Sequence, residues 1–213
     1  MFIKKLEVVI FDLDGTLVYT RPEHRDMVVG ETLVEWRRDY SMKEIDDFWF
    51  GSEEVRSKII TEKWNLDTEG EFWPTFRKYD TTELRKEHTQ PYPDAEILSE
   101  LKNKGIKTGI VTSAPEHILN LETGMLNHKF DAVVRAQPDS GFQKKPHPQA
   151  LLRCFDLLGV SKDRGCYVGN SPEDMLMAKN AGTPGMFVIR DYDYGKVESD
   201  LAIYSLQPLK LFT

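Results

Sequence analysis

The chain has 213 residues, 40% of them hydrophobic and 30% charged, with a formal net charge of −7. That length suffices for one domain or a domain carrying an insertion. The acidic balance argues against nucleic acid as the main partner, since a phosphate backbone needs a basic face, and no apolar stretch approaches the length of a membrane span, so no membrane partner is expected.

Residues 1–5 lead straight into the first apolar run and leave no room for a signal peptide. The two cysteines, Cys154 and Cys166, have no metal-like spacing and read as reduced structural thiols. A cytoplasmic protein is expected on both counts. The oligomeric state is left open.

An unbroken apolar run over residues 6–11 reads as a strand buried on both faces. It ends abruptly in Asp12-Leu13-Asp14-Gly15-Thr16. Two carboxylates two positions apart then stand at the carboxyl end of a buried strand, where open α/β sheets bind ligands. No basic residue lies close to them in sequence; Lys4 and Lys5 fall at the far end of the strand. Such a pair holds a hard metal or shifts its own pKa values for catalysis. Plain Asp-Gly turn chemistry is the alternative, but a turn needs only one of the two acids.

From residue 20 to 90 the pattern is helical throughout, with helices expected over 22–38, 42–50, 53–64 and 69–87. All four tryptophans, Trp36, Trp49, Trp64 and Trp73, fall here, together with Phe48, Phe50, Phe72 and Phe76, so the segment should have its own small core. The stiff run Gln90-Pro91-Tyr92-Pro93 closes it.

Strands and helices then alternate. Helices are expected over 94–104, 115–121, 147–158 and 172–181, several closed by glycine, and strands over 106–112, 130–135, 166–169 and 186–190. With the first strand this makes five, the pattern of a doubly wound parallel α/β sheet. The expected organisation is an α/β core of residues 1–19 and 91–213 with an inserted helical domain of residues 20–90.

Three more strand ends carry polar chemistry. Thr112-Ser113 offers hydroxyls beside a helix N-terminus, a favourable anion site, although either could merely cap that helix. Lys144-Lys145-Pro146-His147-Pro148 precedes a helix; His147 fits packing or capping there better than proton transfer. Val168-Gly169-Asn170-Ser171-Pro172-Glu173-Asp174 ends the fourth core strand. Its Asn170-Ser171 can also cap the helix begun by Pro172.

Taken together and in this order, the four segments resemble the motifs of the haloacid dehalogenase-like (HAD) hydrolases, in the phosphatase branch with a helical C1 cap that includes phosphoglycolate phosphatase-like proteins. The resemblance implies a Rossmann-like core and a cap that closes over the active site. It implies Asp12 as nucleophile forming an aspartyl-phosphate, Asp14 as general acid/base, Thr112 and Ser113 as phosphate-binding residues, and Lys145 neutralising the phosphoryl group. It also implies Mg2+ as cofactor, held by Asp12, the Asp14 carbonyl, Asp174 and Asn170. Asn170 stands where the family pattern has an acid, and it brings an oxygen but no charge.

The implied reaction is Mg-dependent hydrolysis of a phosphomonoester on a small phosphorylated metabolite. Three other readings remain open: a haloacid dehalogenase, against which Asp14 argues; a hexose-phosphate mutase; and a non-catalytic binding or regulatory protein that kept the fold, for which Asn170 is the support.

Overall fold

Eight strands and nine α-helices form among residues 5–213, the part of the chain that this computed structural model describes; residues 1–4 of the expected lead-in lie outside it. In chain order they are β1 (Val8–Phe11), β2 (Val18–Thr20), α1 (Pro22–Glu35), α2 (Met42–Phe50), α3 (Glu53–Lys58), α4 (Trp73–Tyr79) and α5 (Thr82–His88). There follow β3 (Thr89–Pro91), α6 (Ile97–Asn103), β4 (Lys107–Thr112), α7 (Glu116–Met125), β5 (Ala132–Arg135) and α8 (Gln149–Leu158). The last are β6 (Gly165–Gly169), α9 (Pro172–Ala181), β7 (Gly185–Val188) and β8 (Leu201–Ile203). The chain divides into two units: the part up to Tyr19 with Gln90–Thr213, and Thr20–Thr89. The short strands β2 and β3, at the two chain passages between the units, pair with each other.

The first unit is built on a six-stranded sheet in the order β5-β4-β1-β6-β7-β8, every neighbouring pair parallel. By order along the chain its strands read 3-2-1-4-5-6, the doubly wound arrangement whose direction reverses beside β1. β1 lies between β4 and β6, Phe11 aligning with Ile110 on one side and Val168 on the other. Alternation along β1 sends Val9 and Phe11 into one apolar cluster, with Ile97, Leu98 and Leu101 of α6. Val8 and Ile10 enter another, with Leu151, Cys154 and Phe155 of α8 and Met177 and Ala178 of α9. Both faces are covered, which is why the sequence run is unbroken. All four β1 side chains are fully buried, each burial worth about 1.5–3 kcal/mol.

The sixth strand, β8, was not among the five expected. It has three residues at the sheet edge, and only Ile203 of them is buried, too short a stretch to show a period.

The second unit packs α1 to α5 around Val28, Val29, Leu33, Ile45, Phe48, Ile60, Trp64 and Phe72. Phe48 is central, its ring centroid 5.1 Å from Phe72, 5.3 Å from Trp64 and 5.9 Å from Trp73. The single helix expected over 69–87 is instead interrupted at Asp80, because the Thr81 hydroxyl accepts the Leu84 amide hydrogen at 3.2 Å and starts α5 afresh. Two one-turn π-helical segments, Ile59–Lys63 and Thr68–Phe72, also replace expected α-helix. Among the described residues no helix is long and apolar enough to cross a membrane.

Candidate active site

Asp12 is the first residue beyond β1, and its amide donates to the Val168 carbonyl of β6 at 2.8 Å. This places its carboxylate at the tip of the sheet, where the strand order reverses. Three further chain segments converge on it. Lys145, from the loop before α8, brings its Nζ to 2.6 Å from Asp12 Oδ1, 2.8 Å from Asp174 Oδ1 and 2.9 Å from the Tyr167 hydroxyl. The ammonium therefore has three acceptors for three hydrogens. The side chains are almost sealed, Lys145 being 5% exposed, Asp12 9% and Asp174 2%.

Asp174 is set by the first turn of α9. The Ser171 hydroxyl accepts the Asp174 amide hydrogen, and Asp174 Oδ2 accepts from both the amide and hydroxyl of Ser171, at 3.1 and 2.8 Å. This reciprocal cap, with Pro172 at the first helical position, fixes the carboxylate at the N-terminal end of α9, where negative charge is favoured. Gly169 makes the approach possible: a Cβ there would strike the Asp174 side chain. The Tyr167 hydroxyl, fully buried in β6, lies 2.9 Å from the Val111 carbonyl and 3.1 Å from Asp174 Oδ1, two acceptors that share its one proton.

Burial pushes the Asp12 carboxyl up to about 7, against the pull of the Lys145 ammonium. For Lys145, burial alone would lower the pKa, but Asp12 and Asp174 overcome it and raise it, so the residue stays cationic. Burial and the nearby Asp174 and Asp12 raise the Tyr167 phenol well above its ordinary value, which keeps it a donor.

On the other side of Asp12, the Thr16 hydroxyl lies 3.1 Å from Asp12 Oδ2 and 3.2 Å from Asn170 Oδ1. One proton cannot serve two acceptors at once, so two oxygen ligands face each other with one donor between them. That donor set suits a hard, oxygen-seeking cation in kind, with only one charged oxygen to offer it. Among the described residues no three His, Cys, Asp or Glu side chains gather in a metal-holding group; Asp174 is turned to Lys145, Tyr167 and Ser171 instead. Gly15, at φ +77°, makes the bend that brings Thr16 here, and a Cβ on it would collide with the Asn170 amide.

The family profile described as haloacid dehalogenase-like hydrolase matches residues 6–182. The chain belongs to that family. Among curated relatives, it is 27% identical over 206 residues to the phosphoglycolate phosphatase of Aquifex aeolicus, covering 94% of this chain and 92% of the relative. It is 30% identical over 189 residues to the pyrophosphatase PpaX of Bacillus cereus, covering 84% and 81%. Among solved structures, a predicted phosphoglycolate phosphatase from Haemophilus somnus superposes with a TM-score of 0.80 at 22% identity, covering the whole of both chains.

Of the residues that the HAD motifs single out, the fold brings Asp12, Lys145 and Asp174 into direct contact and Asn170 within reach through Thr16. Asp14 is half-buried two residues on and forms an isolated bridge with Val18. Thr112 is buried at the end of β4, where its hydroxyl accepts the Ala114 amide hydrogen at 3.1 Å. The Ser113 carbonyl accepts from the Gln137 side-chain amide. His147 accepts the Gln149 amide hydrogen at 3.3 Å as α8 begins, which is a capping contact.

Sequence reasoning passed over Tyr167 and Thr16. The signal for Tyr167 was available: a phenol inside the otherwise apolar Cys166-Tyr167-Val168 needs a partner when buried. The helix cap expected at Asn170-Ser171 is made by Ser171.

Proposed function

We propose that this HAD-family phosphatase hydrolyses the phosphomonoester of a small phosphorylated metabolite, with the phosphoryl group carried in turn on Asp12. The observation that carries this reading is the sealed Asp12–Lys145–Asp174 contact at the switch point of the sheet. A buried carboxylate needs a cation to remain ionised, and Lys145 supplies it while leaving the acid able to act as nucleophile.

In the first step an Asp12 carboxylate oxygen attacks phosphorus and the bond to the leaving oxygen breaks. The Asp14 carboxyl gives its proton to the departing alkoxide. In the second step water attacks the aspartyl-phosphate, its proton passes to the Asp14 carboxylate, and inorganic phosphate leaves as Asp12 is restored. Lys145 holds charge on the transferring group through both steps. Thr112, whose hydroxyl already accepts from the Ala114 amide, has its own proton to donate to a phosphate oxygen, and Ser113 lines the same strand end. Mg2+, held by Asp12, Asn170, the Asp14 carbonyl and Asp174, would when bound screen the nucleophile's charge from that of the ester. Engaging it requires Asp174 to loosen its contacts with Lys145 or Ser171. The helical unit serves as a cap that excludes water and selects the substrate. Two free, buried thiols suit a reducing compartment, the cytoplasm.

The test is phosphate release from p-nitrophenyl phosphate with Mg2+, then from phosphoglycolate and pyrophosphate, the compounds for which two relatives are named. Turnover that disappears in Asp12→Asn is the expected result. No turnover across a broad phosphate-ester panel favours a binding protein, and dependence on glucose 1,6-bisphosphate favours a mutase.

A further inference from the structure

Thr16 is held at three points. Its amide donates to the Leu13 carbonyl at 3.1 Å, closing the tight loop after β1, and its hydroxyl serves Asp12 and Asn170. Its carbonyl accepts from Arg190 Nη2 at 2.8 Å. Arg190 lies two residues beyond β7, and its side chain is only 9% exposed.

The guanidinium is itself fixed on two more sides. Asp94, in the short 3-10 turn Pro93–Glu96, takes it in a two-pronged ion pair, Nη1 to Oδ2 at 3.1 Å and Nη2 to Oδ1 at 3.0 Å. The guanidinium carbon lies over the Tyr92 ring, 3.8 Å from the ring centroid. Both supports are anchored in turn. Tyr92 donates its amide to the Leu17 carbonyl at 2.9 Å and its hydroxyl to Asp191, and Asp94 Oδ2 also accepts the Leu206 amide at 2.8 Å. Only a planar, forked cation can hold a carboxylate by two prongs, reach a carbonyl and stack on a ring at once; an ammonium cannot.

A buried ion pair of this kind contributes little net stability, so its presence beside the nucleophile loop calls for another explanation. We infer that Arg190 is a positioning residue for phosphoryl transfer: by gripping the Thr16 carbonyl it sets the Thr16 hydroxyl on Asp12 Oδ2 and thereby aims the attacking carboxylate. This inference rests on the phosphatase reading above. It extends the site to the segment after β7, outside all four motifs, and it gives Asp94 and Tyr92 a part in the same task. Arg190 touches no reacting atom; its effect passes through Thr16.

The experiment compares wild type, Arg190→Ala and Arg190→Lys in p-nitrophenyl phosphate hydrolysis with Mg2+, alongside the Thr16 methyl resonance in threonine-labelled protein, assigned with Thr16→Ser. Misaiming a nucleophile costs rate more than binding, so kcat should fall about 10- to 100-fold in Arg190→Ala while KM stays within about twofold. Guanidinium chloride at millimolar concentration should restore part of kcat, where sodium chloride does not, and the Thr16 methyl signal should shift. Arg190→Lys, which keeps the charge and is the fallback if the alanine variant fails to fold, should show the same loss of kcat in smaller measure. Unaltered kcat in folded variants, or a loss that guanidinium does not touch with an unmoved Thr16 methyl, would overturn the inference. A wild-type protein inactive on phosphate esters sinks the phosphatase reading alone; the Thr16 methyl then still decides whether Arg190 holds the loop.

Discussion

Each unit of the molecule buries a cation against carboxylate oxygen, and the two clusters differ in what else they hold. At the sheet tip, Lys145 lies between Asp12 and Asp174, with Tyr167 as a third acceptor. In the helical unit, Arg85 and His24 share one acid, Asp80: His24 Nε2 lies 3.2 Å and Arg85 Nε 3.3 Å from Asp80 Oδ1. The helical cluster joins α1, the end of α4 and α5, three elements that must stay packed, and Trp49 edges onto its His24 ring. It pairs the Arg85 guanidinium with the Asp80 carboxylate, and its purpose is to join helices. The sheet cluster sets two carboxyls against one ammonium and gathers residues from the end of β1, the loop before α8, the middle of β6 and the first turn of α9, which packing does not require. Two buried carboxyls on one ammonium at a ligand-binding edge mark a site built for a cation and an electrophile; a neutralised junction inside a helical core marks a fastening.

That contrast breaks most sharply with Asp12→Asn. Phosphate release should fall by about 10³-fold or more, because the variant removes the proposed nucleophile. Urea unfolding should change little, since Lys145 keeps Asp174. Asp80→Asn should do the reverse. It leaves the buried Arg85 without its counter-charge, at a cost of about 3–5 kcal/mol in unfolding free energy, with turnover by the folded protein retained. Loss of turnover with stability intact would mean that the two clusters had exchanged roles.

The same variant has a pH signature. Burial alone would raise the Asp80 carboxyl, but the contact with His24 and the Arg85 guanidinium outweigh it and hold it below the usual carboxylate range. A depressed acid contributes stability in full above the unfolded value of about 3.9 and loses it as pH falls. The stability gap between wild type and Asp80→Asn should therefore be widest near neutrality and close below about pH 4. A gap independent of pH would contradict this.

Tyr167→Phe sharpens the picture of the sheet cluster. It removes one acceptor from Lys145 and one donor from Asp174 while leaving the strand packed. One hydrogen bond to a charged group is worth about 1.5–3 kcal/mol, so kcat should fall about tenfold or more with KM nearly unchanged. A change in KM alone would place the phenol on the substrate instead. The smallest effect is expected from Asn170→Asp, which adds a charged oxygen opposite Asp12 Oδ2. Calorimetric titration with magnesium chloride should show affinity rising by about tenfold or less; unaltered or weaker binding would remove Asn170 from the metal's surroundings.

The parts of the sheet unit that define the site were legible because their physics is local. A run buried on both faces ends in two acids, and helix stops at Gly159 and Gly182, both with positive φ, mark where the next strand can begin. The helical unit was legible as a unit but not in its joints. Nothing in the apolar spacing around Phe76 and Leu84 announces the break at Asp80, which depends on a Thr81 hydroxyl capping the next helix. The remainder of the site depends on long-range geometry. Lys145 stands 133 residues from Asp12, and Arg190 stands 174 from Thr16. A resemblance could nominate the first; no motif points to the second, whose partners are a carbonyl and a connector acid.

The account stands on Asp12 carrying the phosphoryl group. Rapid acid quench of the enzyme turning over substrate with Mg2+, borohydride reduction and peptide mapping read this directly, because an aspartyl-phosphate is reduced to homoserine. Homoserine at position 12, absent without substrate and absent in Asp12→Asn, is the predicted result. Phosphate release with position 12 still aspartate, or homoserine at another position, would contradict it.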